Sequence, residues 1–440
     1  MPTLHACDQI GEHGETSLQV QQISSLNRDV TRGVGGSVRA LSDFALPIRA
    51  HKYVCGLPQS PRVKVGARNM ALPRSMCFSS LVEEGVPSSP APPQKALDLA
   101  AVVSDHYGLS VASVSNLGGE VDRNILVTTT DDSRYLMKMT SGSSAEDIAW
   151  QVEILQHLAR TDPALPVPRL VPAQSGSLAF ELDQPGAPIV VRLMTWLEGR
   201  MLAEVPEPDT GLLTELGATS ARLTRALSGV DPSHLPATHH WDVRRSGEAV
   251  AESLPFVTDH RRRTDVQRIM EMVDDVHPLL DGLPVAVVHQ DLNDFNVLAM
   301  QVHEGHWTVS GILDFGDALH TVRVADLVVA AAYAMLRQPD PVGALCAVVA
   351  GYTALTPLTA DERSVIFPLA AARLCVNATT WTRRTTQAHL PYGEDRMRHT
   401  WPAIAAIAAI APGDAQARVM SACSTETKQD TEHREGAAHD

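Results

Sequence analysis

The sequence predicts an α+β molecule of two lobes, a small antiparallel β N-lobe and a larger, mainly helical C-lobe. Three observations predict it. Short β-patterned runs come early, at Asn124–Thr130, Arg134–Thr140 and Ile189–Trp196. After Gly199 the apolar residues take helical spacing through Gly211–Leu227, Arg263–Leu280, Arg323–Arg337, Val342–Leu355 and Asp361–Trp381. One β-like island, Val285–Asp314, interrupts those helices. Strands first and helices later describe a segregated α+β architecture.

The elements follow in order. Ala96–Tyr107 reads as a helix with Leu97, Ala100, Ala101 and Val103 on one face. The polar turn Asp131-Asp132-Ser133 joins its two flanking runs into a β-hairpin. Ala145–Arg160 reads as a helix, because Ile148, Val152, Leu155 and Leu158 recur about one turn apart. Pro163, Pro166 and Pro168 stop it and lead into extended chain. In the island, Val297–Val302 and Trp307–Leu313 flank a His-Glu-Gly-His turn and form a second hairpin. There is no internal repeat.

Composition narrows the function. The 440 residues suggest about two or three domains. A hydrophobic fraction of 44% excludes wholesale disorder, and a net charge of −15 argues against general nucleic-acid binding. No apolar run approaches the ~18 residues that span a bilayer, and Leu327–Leu336 is too short. Cysteines 7, 55, 77, 346, 375 and 423 form no CxxC pair, so a reduced, cytoplasmic setting is the simpler expectation. Residues 1–94 are rich in Ser, Gly, Pro and Arg and show no structural period. Between Phe44 and Val82 they carry basic residues and no acidic one, the balance of a transit peptide. No amphipathic face accompanies the arginines, which favours a disordered extension or a start assigned upstream of Met70 or Met76. The Pro87–Pro93 run is a stiff linker. The expected units are therefore a leader (1–94), an N-lobe (95–198), a C-lobe (199–420) and a polar tail (421–440).

The island carries the chemistry. It contains His289-Gln290-Asp291-Leu-Asn293-Asp294-Phe295-Asn296 and, further on, Asp314-Phe315-Gly316-Asp317. With the turn centred near Gly305, Asn296 and Asp314 are equally far from it and face each other at the hairpin's open end. An amide oxygen and a carboxylate there, with Asp291 five residues upstream, suit a hard cation such as Mg²⁺. The roles then divide as in phosphoryl transfer: Asp291 accepts a proton, while Asn296 and Asp314 hold metal that bridges phosphates. Lys138, alone among the apolar residues of Tyr135–Met139, needs a charged partner, and nucleotide phosphates would serve. Gly118-Gly119, ahead of Asn124, can turn backbone N–H groups toward phosphate.

At these residues the chain resembles the aminoglycoside phosphotransferase/choline kinase superfamily and, within it, the hydroxylysine kinase branch. His289–Asn296 is similar to the branch's His-Gly-Asp-Leu-Asn-Asp-His-Asn, and Ser310–Asp317 to its Ser-Gly-Ile-Leu-Asp-Phe-Gly-Asp. Val191–Arg200, Thr356–Thr359 and Arg373–Cys375 also resemble stretches of that branch. The likeness runs from about residue 96 to 410. It implies a protein-kinase-like fold with the nucleotide between the lobes and its purine at a hinge, Met194–Leu197, with Met194 and Trp196 as contacts. It implies Asp291 as base, Asn296 and Asp314 as metal ligands, Lys138 as phosphate lysine, and GTP or ATP as donor. The implied acceptor is 5-hydroxy-L-lysine, with an aminoglycoside, choline or homoserine as alternatives. Asp294 and Asp317 are candidates to meet a cationic acceptor. A catalytically silent module is the reading from another class.

Three positions depart from the branch. Gln290 replaces a Gly, Phe295 replaces a His, and the helical glutamate that should pair with Lys138 is expected at Glu153, with Glu146, near the start of that helix, as the alternative. His239-His240 invites a metal reading, but adjacent side chains rarely converge on one ion, which favours a structural or pocket-wall role. Arg261–Arg263 reads as a solvated face. Asp326, Arg373 and Trp381 could wall an acceptor pocket; core packing and helix capping are equal readings, and Asp326 suits the first turn of its helix.

Overall fold

The computed structural model describes residues 97–119, 122–183, 187–388, 393 and 397–424. The fold belongs to the unit Leu99–Asp440. The expectations for a leader over 1–94 and for the tail from 425 onward lie outside the described residues.

The N-lobe is an antiparallel sheet. Its strands are β1 (Val111–Gly118), β2 (Asp122–Thr129), β3 (Arg134–Ser141), β4 (Leu170–Val171), β5 (Phe180–Leu182) and β6 (Ile189–Thr195). Their order is β1-β2-β3-β6-β4, with β5 also on β6. The period of two is plain in the β2–β3 hairpin: Ile125, Val127, Met137 and Met139 are buried on one face. The opposite face carries Asn124 and its cross-strand partner Lys138, then Asp122 and its partner Thr140. The polar turn closes as expected, with the Thr129 N–H bonded to the Ser133 carbonyl and Asp132 at φ +64°. Helix α1 (Leu99–Tyr107) precedes the sheet, and α2 (Ala149–Thr161) lies between β3 and β4 in the chain.

The C-lobe adds small β-elements to helices. Strands β7 (Arg200–Met201), β9 (Val297–His303) and β10 (His306–Ile312) form one sheet, and β8 (Val285–Val288) pairs with β11 (Leu319–Val322). The helices are α3 (Thr210–Ala226), α4 (Ser246–Ser253), α5 (His260–Val276), α6 (Ala325–Ala334), α7 (Pro341–Thr353), α8 (Ala360–Ala388), α9 (Thr400–Ala408) and α10 (Pro412–Ala422). Among the described residues, no helix is long and apolar enough to cross a membrane. Helix α8 is the axis of the lobe, buried continuously from Val365 to Trp381. Its start is a capping box: the Glu362 N–H donates to Thr359 Oγ1 at 3.1 Å, and the Thr359 N–H to Glu362 Oε2 at 2.9 Å. Arg323 completes it with two bonds to the buried Glu362 carboxylate.

One expectation needs correction. The β9–β10 turn is tighter than the spacing suggested, because His303 pairs directly with His306 across Glu304-Gly305, Gly305 taking φ +72°. Register shifts follow at His306/Trp307 and Val309/Gly311. Asn296 is therefore opposite Leu313, whose N–H donates to the Asn296 carbonyl at 2.7 Å. Asp314 comes one residue later. The two register shifts cancel, so the two-residue turn by itself leaves the two side chains one position out of direct register.

Helices α3 and α7 meet through glycine. A Cβ on Gly351 would stand 1.8 Å from the Thr214 carbonyl oxygen, and one on Gly217 1.9 Å from that of Val348. Backbone cannot yield as a flexible side chain can, so Gly351→Ala is expected to lower stability by about 1–3 kcal/mol in chemical denaturation despite its better helix propensity. Gly247→Ala, where a Cβ meets open space, is expected to be neutral or slightly stabilising.

Candidate active site

The site is built on the loop that leaves β8. Asp326, in the first turn of α6 and fully buried, accepts the His289 N–H on Oδ2 at 3.0 Å and the Gln290 N–H on Oδ1 at 2.8 Å. One carboxylate thus grips two successive amides and fixes where the chain turns. Burial pushes the Asp326 carboxyl above the usual range, against the pull of His289 and of those two N–H bonds. Gln290 turns through the left-handed region at φ +72°, a conformation that costs a non-glycine residue about 1–3 kcal/mol. The branch's glycine would adopt it freely. Here the Asp326 clamp and a 2.6 Å bond from Gln290 Nε2 to the Trp241 carbonyl hold it. The buried His289 ring accepts the Asp291 N–H at Nδ1, so Nε2 carries the proton and donates to the Leu313 carbonyl at 2.9 Å. That ring also meets Phe315 edge-on.

Asp291 is held from three directions. Arg373 donates to Oδ1 at 2.7 Å, while Asn293 and Asn296 donate to Oδ2 at 2.8 and 2.7 Å. Asn296 also bonds the Asp291 carbonyl at 3.0 Å. Asn293 Oδ1 in turn accepts the N–H groups of Phe295 and Asn296, an Asx turn that shapes the loop. Arg373 is a buried residue of α8, held by the Trp241 carbonyl at 2.9 Å with its guanidinium over the Trp241 ring. Each carboxylate oxygen has two lone pairs, so Oδ1 can still accept a proton.

Asp314 follows β10 at φ +57°, and its Oδ1 accepts from Lys138 Nζ at 2.9 Å and from the Gly316 N–H at 3.3 Å. Partial desolvation raises this half-exposed carboxyl, and the Lys138 charge and hydrogen bond outweigh it, leaving Asp314 below the ordinary carboxylate range. Burial likewise pulls Lys138 down, but Asp314 and Asp122 more than compensate and its pKa rises. The donor set fits a hard cation. Asn296 has committed its amide nitrogen to Asp291, which leaves Oδ1 as its ligating atom, and Asp314 retains Oδ2. Mg²⁺ is commonly held by one or two such oxygens, with water and phosphate in its other positions. Among the described residues there is no group of three or more His, Cys, Asp or Glu side chains that could hold a metal.

The remaining expected residues divide. Asn124 donates to the Gly118 carbonyl at 3.0 Å, and Gly119 has φ +150° with the Asp122 carbonyl close behind it. The rest of that loop, 120–121, lies outside the described residues. Met194 is buried in β6, paired with Leu136 and Leu170. Trp196 follows that strand, its N–H on the Arg134 carbonyl and its ring beneath the Arg134 guanidinium. Asp317 lies 3.5 Å from His239 Nε2, and His240 bonds Thr380 instead, so the two histidines diverge. Asp294 differs from expectation: it is 1% exposed and paired with Arg337 at 2.8 Å, which anchors the loop rather than opening toward an acceptor. Glu153 differs as well. It is exposed on α2, while Lys138 pairs with Asp122 at 3.0 Å and with Asp314. The hairpin register supplies a carboxylate on the lysine's own face, which the helix does not. The parts missing from the sequence reading are Asp122, the Asp326 clamp and the contact of Arg373 with Asp291. Only Asp122 had a signal, its position two residues before Asn124 in the hairpin.

Comparison with known proteins places the chain among phosphotransferases. A family model described as "Phosphotransferase enzyme family" matches residues 114–361, more than half of the chain. A hydroxylysine kinase of Bos taurus is 28% identical over 297 residues, covering 63% of this chain and 78% of that one. A homoserine kinase of Methylobacillus flagellatus is 28% identical over 251 residues, covering 56% and 71%. The fold is similar to that of an amicoumacin kinase solved with AMP-PNP and Ca²⁺, at TM-score 0.53 and 15% identity over 72% of this chain and 97% of that one. It is similar too to a microcompartment-associated aminopropanol kinase, at TM-score 0.52 and 18% identity over 73% and 99%. By the sequence match over more than half of its length, the chain belongs to the phosphotransferase enzyme family.

Proposed function

We propose that this protein is a small-molecule kinase that transfers the γ-phosphoryl of GTP or ATP to the hydroxyl of 5-hydroxy-L-lysine. The observation that carries the reading is the Asp291 carboxylate, held by Arg373, Asn293 and Asn296 beside the Lys138–Asp314 pair. Asp291 takes the proton of the acceptor hydroxyl. Lys138 meets the nucleotide phosphates, with the Gly118-Gly119 turn and Asn124 beside them and the purine against Met194 and Trp196. Asn296 Oδ1 and Asp314 Oδ2 hold Mg²⁺, which when bound neutralises the phosphate oxygens. Asp317, next to His239, faces the amino end of the acceptor. The acceptor class rests on the relatives, since hydroxylysine and homoserine are both α-amino acids with a side-chain hydroxyl.

The test is an acceptor panel assayed with both GTP and ATP. Phosphorylated 5-hydroxy-L-lysine is expected at a higher kcat/KM than phosphorylated homoserine, choline or aminoglycoside. Nucleotide binding with no product from any acceptor would sink the reading in favour of a silent module.

Two substitutions probe the base and its mounting. Asp291→Ala is expected to lower kcat by about 10²–10⁴-fold, the usual share of a general base, with nucleotide affinity retained. Asp326→Ala strands two buried N–H groups, each worth about 1–3 kcal/mol when unsatisfied. It is expected to lower both Tm and kcat, with the nucleotide KM much less affected. Unchanged turnover in either variant contradicts the assigned roles.

A further inference from the structure

We propose that Asp122, on the strand adjoining that of Lys138, is the positioning residue that holds this lysine for the nucleotide phosphates, and that helix α2 supplies no carboxylate for the task. The inference rests on the kinase reading and adds a residue to it. A buried ammonium is costly unless paired, and Lys138 Nζ has Asp122 Oδ2 at 3.0 Å and Asp314 Oδ1 at 2.9 Å. The two carboxylates differ in setting. The Asp314 side chain is 50% exposed and that of Asp122 15%, and Asp314 is also the one assigned to metal. Once Asp314 turns its charge to a cation, Asp122 is the anion that remains on the lysine.

The position of Asp122 is set by the sheet. Asn124 is the direct cross-strand partner of Lys138, and Asp122 lies two residues along β2, opposite Thr140 on the same face. Thr140 Oγ1 donates to Asp122 Oδ1 at 2.6 Å, which fixes the carboxylate rotamer and leaves Oδ2 for the lysine. On the other side of β3, Arg192 is the cross-strand partner of Lys138 and reaches Asp122 Oδ2 at 3.4 Å. Helix α2 enters this network through a neutral group, Gln151, whose Oε1 accepts from Arg192 at 2.5 Å. Glu153 opens instead onto a surface depression shared with Glu146, Asp147, Trp150 and His234. Once Asp314 turns to a cation, two buried cations, Lys138 and Arg192, share the single carboxylate of Asp122. Their surplus positive charge suits an incoming phosphate.

The test uses the full chain and reads binding apart from turnover. A fluorescent GTP analogue with Mg²⁺ is titrated into wild type, Asp122→Asn, Asp122→Glu, Glu153→Gln, Lys138→Met and the Asp122→Asn/Lys138→Met double variant. Affinity is expressed per folded molecule, with the folded fraction fixed by circular dichroism. Asp122→Asn is expected to weaken nucleotide binding at least tenfold and to raise the nucleotide KM while the acceptor KM stays within twofold. Asp122→Glu, which keeps the charge, is expected to recover part of the loss. The double variant is expected to bind no more weakly than Lys138→Met alone, because Asp122 acts through the lysine. Glu153→Gln is expected within twofold of wild type. Loss with Glu153→Gln equal to that with Asp122→Asn overturns the proposal, as do additive losses in the double variant. Where Asp122→Asn folds poorly, a tenfold loss with Glu153→Gln overturns the proposal by itself. A wild type that neither binds the analogue nor forms product overturns the kinase reading itself, a result distinct from the others.

Discussion

The ion pair between Lys138 and Asp314 joins parts of the chain 176 residues apart, one on the N-lobe sheet and one at the open end of the C-lobe hairpin. Everything assigned to the nucleotide depends on that junction. Lys138 reaches it because strand alternation buries Met137 and Met139 on one face and turns the lysine to the other. Asp314 reaches it because the β9–β10 hairpin ends there and the chain turns through φ +57°. The same hairpin brings Asn296 alongside, and Asn296 in turn grips Asp291. The residues proposed as phosphate lysine, metal ligands and base are therefore one connected set.

A second constraint acts from beneath. Asp326 holds two amides of the loop that presents Asp291, and Arg373 holds the carboxylate itself. Both come from helices in the deepest part of the C-lobe core. A loop carrying a left-handed glutamine is kept in one conformation by groups that cannot shift without disturbing that core. The replacement of glycine at 290 is thus absorbed by the bond to Trp241. Phe295, where the branch has a histidine, keeps the backbone contact to Asn293 that shapes the Asx turn, so that change leaves the loop's frame in place.

Much of this was legible in the sequence. The alternation around Lys138, the polar turn at Asp131–Ser133 and the helical spacing after Gly199 each state a local period, and each element formed where that period runs. The pairing of Asn296 with the Asp314 end of the hairpin was legible to within one residue; the two-residue turn, centred between Glu304 and Gly305 rather than on Gly305, made the difference. Glu153 shows the limit of reading by likeness. A helical carboxylate was expected for Lys138, whereas the register of β2 on β3 had already placed one on the lysine's own face. Asp326 and Arg373 were named as helix residues with several readings, and their hold on the loop was not visible. Such contacts join positions 36 and 82 residues apart, and no local pattern encodes which helix faces which loop.

The central claim is that Asn296 and Asp314 bind one divalent ion together beside Asp291. Mn²⁺ in place of Mg²⁺ tests it most directly, by electron paramagnetic resonance of the protein with a non-hydrolysable nucleotide. The account predicts that Asn296→Ala and Asp314→Asn each weaken Mn²⁺ binding to that complex by about tenfold or more, the worth of roughly 1.4 kcal/mol. Binding and spectra left unchanged by both substitutions would contradict it.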